Sequence, residues 1–423
     1  MKATGAVDAV DVVALGESMV TFLPTRPGRL ADVPSFDRAI GGAESNVACA
    51  LAAAGHAVRW VSRVGADGFG DHLRETVASY GVDVSAVGRD PARPTGVYFR
   101  TAGDRATDAH EVAYYRAGSA ASAMSAATVD LAAVRAGRIL HLSGITAALS
   151  EGCLELLREL TAPAGGGRPV VSFDVNYRAG LWGSRDGSQI LLELARRADV
   201  VFVGEDEAEQ AWGVTGGPSA IREVLPEPAV LVVKQAAKGA TAFVSPAARR
   251  GPAQFPAPLT GRFTAPQLRA GMPQGGTGGR WGSPRPKAGG GTPQARASET
   301  HLRPAPADGT RPAPVSVPTP LPHPTGTFEP APAVDVVANV GAGDAFAAGF
   351  LSGMLRGLPL TRTLRLGHLF AAAALTTPAD LAPPPARDTT DRLTALDAGA
   401  WGRLRLGPGW TEADAAEEEV PSP

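Results

Sequence analysis

Val336-Val337-Ala338-Asn339-Val340-Gly341-Ala342-Gly343-Asp344-Ala345-Phe346 reads as a short apolar strand that turns through glycine into a helix. Gly341, Ala342 and Gly343 are small enough for their backbone N–H groups to close on an anion at the positive end of that helix. A phosphate suits the position. Asp344 follows directly, placed to take the proton of a hydroxyl that attacks the phosphate. The simpler alternative is an ordinary strand-to-helix turn in which Asp344 only caps the helix, and a lone Gly-x-Gly-Asp does not separate the two.

With 423 residues and 44% hydrophobic content, the chain has room for one large α/β domain with extras or for two domains. No apolar run approaches the roughly 18–20 residues of a membrane span, and acidic Asp8 and Asp11 lie ahead of its first apolar run, unlike a signal peptide. A cytoplasmic protein without a membrane partner is expected. Cys49 and Cys153 lie in stretches of helical period and read as small buried apolar residues. The net charge of −2 conceals a contrast: residues 247–327 hold ten Lys or Arg against two acidic residues, a local +8 that leaves −10 elsewhere.

Outward from the opening stretch, βα alternation is regular from Arg138 on. Strands are expected at Ile139–Leu142, Val170–Asp174, Val200–Val203, Val230–Lys234 and Val334–Val337, and helices at Ser150–Leu160, Gln189–Arg197 and Gly367–Thr376. This predicts a mainly parallel sheet with helices on both faces, its ligand beyond the carboxyl ends of the strands. Polar residues follow strands accordingly at Asn176, Arg178, Glu207 and Lys234. Nearer the start, Val12–Leu15 reads as a buried strand, Gly41-Gly42-Ala43-Glu44-Ser45-Asn46 opens an Ala-rich helix, and a helix is expected over 71–80. Val97–Arg100 and Glu111–Arg116 read as a polar hairpin, a flap packed on one side. The Pro-, Gly- and Arg-rich stretch 247–327 has too few periodic apolar positions to bury a core and is expected to be a disordered insert, as is the acidic tail 411–423.

Four motifs in order resemble those of the ribokinase-like (PfkB-type) carbohydrate kinases, most nearly the 2-keto-3-deoxygluconate kinases. They are Gly41-Gly42-Ala43-Glu44-Ser45-Asn46-Val47-Ala48, Tyr114-Tyr115-Arg116, Asp174-Val175-Asn176-Tyr177-Arg178 and Gly341-Ala342-Gly343-Asp344. The resemblance covers roughly 10–245 and 328–395 and implies a three-layer sandwich over 10–395, with a small β lid from about 17–40 and 95–116. It implies ATP as phosphoryl donor and Mg2+ on its phosphates. Asp344 becomes the base, and Gly341, Ala342 and Gly343 the anion hole. Gly41, Gly42, Ala43 and Asn46, with Tyr98, Tyr114 and Arg116 from the lid, would hold the sugar. Arg178 is the first choice for the acid group, a bidentate fork, and is shared with the nucleotide. The nucleotide side takes Asn176, Gly204, Lys234, Gly239, Gly341 and Gly343, and Glu207 is tied indirectly to the metal.

Several positions depart from the family pattern: Ala338-Asn339 before the glycine turn, Gly204 in place of an Asn, and Ala236 in place of a glycine. They bear on nucleotide affinity and on any monovalent-cation site. The insert reads as a solvated loop, a basic arm for an anionic partner, or misassigned coding sequence, and nucleic acid is not otherwise expected as a partner. Flap strands pair between subunits in this family, which keeps a homo-oligomer open. Two other readings stand beside a sugar-acid kinase: a kinase for a neutral sugar such as fructose or ribose, and a non-catalytic sugar-binding relative.

Overall fold

The computed structural model describes residues 8–101, 111–163, 168–245, 326–377 and 381–412. Its strands, in chain order, are β1 (Val10–Leu15), β2 (Met19–Pro24), β3 (Phe36–Gly41), β4 (Val58–Gly65), β5 (Val87–Asp90), β6 (Val97–Arg100), β7 (Val112–Tyr115) and β8 (Gly137–Ser143). They continue as β9 (Val170–Asp174), β10 (Val200–Gly204), β11 (Val230–Lys234), β12 (Gly239–Val244), β13 (Thr327–Pro330), β14 (Ala333–Val334) and β15 (Arg405–Leu406). The helices that position the site are α1 (Ala43–Ala53), α2 (Gly68–Ser79), α3 (Leu131–Arg135), α4 (Gly144–Leu149), α5 (Glu151–Thr161), α6 (Gly187–Arg197), α7 (Glu205–Trp212), α8 (Gly217–Val224), α9 (Ala342–Leu355) and α10 (Leu360–Leu375).

Nine strands form one sheet in the order β13-β12-β11-β10-β9-β8-β1-β4-β5. The seven from β11 to β5 run parallel, and β12 and β13 add antiparallel at one edge. Their near-continuous apolar character follows from burial on both faces. Along β1, Val13 and Leu15 enter one core, shared with Leu157 of α5 and Leu191 of α6, whereas Val12 and Ala14 enter the other, with Leu51 of α1 and Phe350 of α9. The result is the expected three-layer sandwich. Strand order reverses between β1 and β8, and the loops leaving these neighbours diverge there, which is where sheets of this kind hold ligands.

The hairpin read from the residues is part of a four-stranded lid sheet. β6 and β7 pair antiparallel as anticipated, but β2 and β3 join them in a separate sheet ordered β3-β2-β6-β7. Aromatic contacts knit its strands: Phe22 stacks on Phe99 with ring centroids 4.8 Å apart, and Phe36 meets Phe99 edge-on at 5.3 Å.

One expected strand is absent. Residues 335–340 form no strand, and only Ala333–Val334 pairs, with β15. The N–H groups of Val337 and Ala338 both donate to the Leu375 carbonyl (2.7 and 3.3 Å), so the end of α10 satisfies the backbone that a strand ladder would otherwise have taken. At the insert's far boundary, Thr327 already belongs to β13 and pairs with Ala242. Residues 247–325 of the insert and most of the acidic tail lie outside the described residues. Cys49 and Cys153 are both buried and free.

Candidate active site

The site begins where lid meets sandwich. β3 ends at Gly41, and Gly42 passes so close to the loop after β1 that a Cβ there would lie 2.4 Å from the Glu17 carbonyl oxygen and 2.8 Å from the Ser18 Cα. Only glycine fits. Ala43 then opens α1, and Asn46, one turn in, donates through Nδ2 to Asp344 Oδ2 at 2.9 Å. Asp344 reaches this point because Gly341 adopts a left-handed conformation (φ 77°, ψ −6°) immediately before α9, a turn that glycine makes without strain. Burial pushes the Asp344 carboxyl up to about 7; the Asn46 amide pulls against that shift, Asp174 adds to it, Lys234 opposes it and Glu44 adds to it. A carboxylate so poised suits proton abstraction near neutrality. Its hydrogen bond runs to another helix rather than to its own helix end, which favours the functional reading of Asp344 over the capping one.

Beside the glycine turn lies a cation. Lys234, the last residue of β11, holds both Asp174 oxygens at 3.1 and 3.2 Å and stands 3.9 Å from Glu207 Oε2. Its ammonium is 3.6 Å from where a Cβ on Gly343 would sit, so it abuts the proposed anion hole. Burial alone would lower its pKa, but Asp174 and Glu207 outweigh burial and hold it above its ordinary value. Glu207 accepts the Gly204 N–H at 2.7 Å; burial raises its carboxyl, Lys234 opposes that shift and Asp174 adds to it. Arg178 is 58% exposed, donates to the Tyr177 carbonyl at 2.9 Å and lies 3.6 Å from Glu207 Oε1. Asn176 has φ 39°, a conformation asparagine tolerates better than most residues, and its buried Oδ1 has no hydrogen-bond partner among the described residues.

On the lid side, Tyr98 is buried and Tyr114 exposed, with ring centroids 5.4 Å apart, and the Arg116 guanidinium lies 5.9 Å over the Tyr114 ring. Arg116 forms an ion pair with Glu17. In the first turn of α1, the fully buried Glu44 accepts the hydroxyls of Ser143 and Thr146, each at 2.7 Å, and burial raises its carboxyl above its ordinary value.

One cleft of about 310 Å³ gathers nearly every residue singled out in the sequence. Gly41, Gly42, Ala43 and Asn46 line it from α1 and its approach, and Tyr98, Tyr114 and Arg116 from the lid. Asn176, Arg178, Glu207 and Lys234 line it from the strand ends, and Gly341, Gly343 and Asp344 from the start of α9. Three residues do not line it. Ala342 only heads α9, Gly204 sits behind Glu207 as its N–H donor, and Gly239 is taken up by pairing with Pro330, where the Glu329 carbonyl would lie 2.3 Å from a Cβ. Conversely, Glu17 and Asp174 line the cleft although the sequence reading gave neither a site role. Asp174 ends β9 and Glu17 follows β1 after Gly16 alone, and that position at a parallel strand's end is the signal that could have found them.

Among the described residues no cluster of three or more His, Cys, Asp or Glu side chains could hold a metal ion. The nearby carboxylates are engaged, Asp174 by Lys234 and Glu207 by the Gly204 N–H, so Mg2+ fits only as an ion carried on phosphates and reached from the edge of Glu207. Nor is any helix among the described residues long and apolar enough to cross a membrane. Ala236 adopts φ 48°, the conformation that a glycine there would supply without strain.

Comparison with known proteins agrees with this geometry. The model of the pfkB family carbohydrate kinases matches residues 9–258 and 321–387. A 2-dehydro-3-deoxygluconokinase of Thermoproteus tenax is 33% identical over 238 residues, 55% of this chain and 72% of that protein. Fructokinase-1 of Oryza sativa subsp. japonica is 34% identical over 208 residues, 48% of this chain and 62% of that protein. A crystal structure of a PfkB protein from Polaromonas sp. JS666 superposes with a TM-score of 0.64 at 26% identity, covering 91% of this chain and 99% of the other. The fold is therefore ribokinase-like, and the chain belongs to the pfkB family of carbohydrate kinases.

Proposed function

We propose that this sugar kinase transfers the terminal phosphoryl group of ATP to a primary hydroxyl of 2-keto-3-deoxygluconate or a close sugar acid. The observation that carries the reading is the meeting, in one cleft, of Asp344 with the glycine turn and Lys234 on one side and Arg116 with the lid tyrosines on the other. Asp344, oriented by Asn46, takes the proton of the attacking hydroxyl. The N–H groups of the Gly341–Gly343 turn and the Lys234 ammonium hold the phosphoryl oxygens as charge builds on them. ATP, with Mg2+ on its phosphates, supplies the transferred group. Tyr98 and Tyr114 cover the sugar from the lid and exclude water.

The two arginines divide the anionic groups. Arg178, exposed and next to Glu207, serves the nucleotide phosphates, which leaves Arg116 as the fork for the sugar carboxylate. A neutral sugar is the second reading, favoured by the ion pair that already neutralises Arg116. A coupled assay of ADP release with 2-keto-3-deoxygluconate, gluconate, fructose and ribose separates the two. The sugar-acid reading expects turnover confined to the keto-deoxy acid, and efficient turnover of fructose or ribose without the acid refutes it. Asp344→Asn should lower kcat by roughly 10²- to 10⁴-fold with sugar affinity retained. Retained turnover removes Asp344 from the role of base.

A further inference from the structure

The main chain crosses between the large sheet and the lid near residues 16–18, 41–42, 95–96 and 116–119. Glu17 stands in the first crossing and meets the other three. A Cβ on Gly42 would lie 2.4 Å from the Glu17 carbonyl oxygen, and one on Gly96 would lie 3.1 Å from Glu17 Oε1. Ser119 donates to Oε1 at 2.5 Å, and Oε2 pairs with Arg116 Nη2. Glu17 is 3% exposed, yet it lines the cleft beside Arg116. The Arg116 Nε is buried and donates to no atom among the described residues, a donor left over for whatever enters the cleft.

We propose that Glu17 is a specificity-determining residue, whose counter-charge against Arg116 weakens the cleft's preference for an acidic over a neutral sugar. The inference rests on the reading that the sugar lies against Arg116. With Glu17 in place the pair is neutral, so a neutral sugar can bind without stranding a buried guanidinium. An entering carboxylate is attracted by Arg116 but repelled by Glu17 just behind it. At a separation of about 7 Å and an effective dielectric of about 20, that repulsion is large enough to change the acid-to-neutral preference roughly tenfold after allowance for solvent. A role confined to anchoring the lid would lower use of both sugar classes together and leave their ratio where it was.

The test is Glu17→Gln in the full chain, a change that keeps an acceptor for Ser119 and removes the charge. kcat/KM is measured for 2-keto-3-deoxygluconate and for fructose; where one is not turned over, its inhibition constant against the other replaces it. The ratio of acid to neutral sugar should rise roughly tenfold. An unchanged or lower ratio overturns the proposal. A second comparison guards against loss of fold. Arg116→Met leaves Glu17 facing the cleft as an orphan carboxylate, whereas Arg116→Met with Glu17→Gln removes the whole pair, an exchange buried ion pairs tolerate well. The double variant should favour the acid over the neutral sugar more than Arg116→Met does, and equal ratios in the two overturn the proposal. Wild-type protein that turns over no sugar acid would refute the proposed substrate class alone, since the inhibition constants still decide the part played by Glu17.

Discussion

Asn46→Ala tests how the cleft would prepare Asp344, the proposed base. Burial places the Asp344 carboxyl at about 7, and the 2.9 Å hydrogen bond from Asn46 Nδ2 is the foremost influence holding it that low. A hydrogen bond to a charged group is worth about 1.5–3 kcal/mol, or one to two pKa units. Water entering the space left by Asn46 recovers part of this, so a rise of about one unit is expected, to about 8. The sign is set by which form the amide stabilises: it donates to the carboxylate, and without it the proton is held more tightly. At pH 7 the ionised fraction should then fall from about one half to about one tenth, a roughly fivefold loss of kcat/KM on top of any pH-independent loss of sugar contact. Activity should recover by about pH 9. The assay is kcat/KM against pH, which reports the free enzyme. An acidic limb that stays where it was, or moves to lower pH, refutes the assignment of Asn46 as the group that tunes Asp344.

Ala236 at φ 48° carries a cost of roughly 1–2 kcal/mol that glycine avoids, while glycine loses roughly 0.5–1 kcal/mol of chain entropy. Ala236→Gly should therefore stabilise the protein by about 0.5 kcal/mol with sugar affinity unchanged, seen as a small rise in Tm; a fall in Tm contradicts it. Burial pushes His56 and His368 down to about 4 and His141 to about 3, although Asp11 beside His56 and the Glu329 carbonyl at His368 act the other way. The unfolded chain takes up these protons first, near pH 6.5, so stability present above that value is lost as pH falls toward 4, by up to about 2 kcal/mol per histidine at pH 5. A denaturant midpoint that does not change between pH 7 and pH 5 would show these rings to be hydrated in solution.

The strand-turn-helix alternation, the glycine turns and the polar residues at strand ends determined the fold class and most of the cleft. Each is a local pattern with one physical meaning: a parallel strand buried on both faces is apolar throughout, and its end is where polar groups meet a ligand. Lys234, which ends β11, was legible for that reason, and Asp344 and Asn46 because each opens a helix after a glycine turn. Residues 335–340 were misread because β-branched apolar residues look alike whether they enter a ladder or lie against a helix, and only α10, with its Leu375 carbonyl, decided between them. Residue pattern gave only the hairpin of the lid, and the stretch 17–40 was assigned to it through the family resemblance. Phe36–Gly41 carries charge at Asp37 and Arg38 and shows no strand pattern of its own, and pairing with β2 supplies its partner.

Charge compensation lay furthest from the sequence. Glu17 and Arg116 are 99 positions apart, and Asp174 and Lys234 are 60 apart. Residue type alone could name Arg178 as the fork for a sugar acid and Arg116 as a lid residue, but not that Glu207 lies beside the first or that Glu17 already pairs with the second. Side-chain chemistry is written at single positions and periodicity over a few turns, so the sequence by itself determined which groups exist and on which elements they ride. The potential each group feels depends on the inverse distance to partners that only the folded chain brings within a few ångströms, and that decided which carboxylate is raised toward neutrality and which arginine is already spoken for.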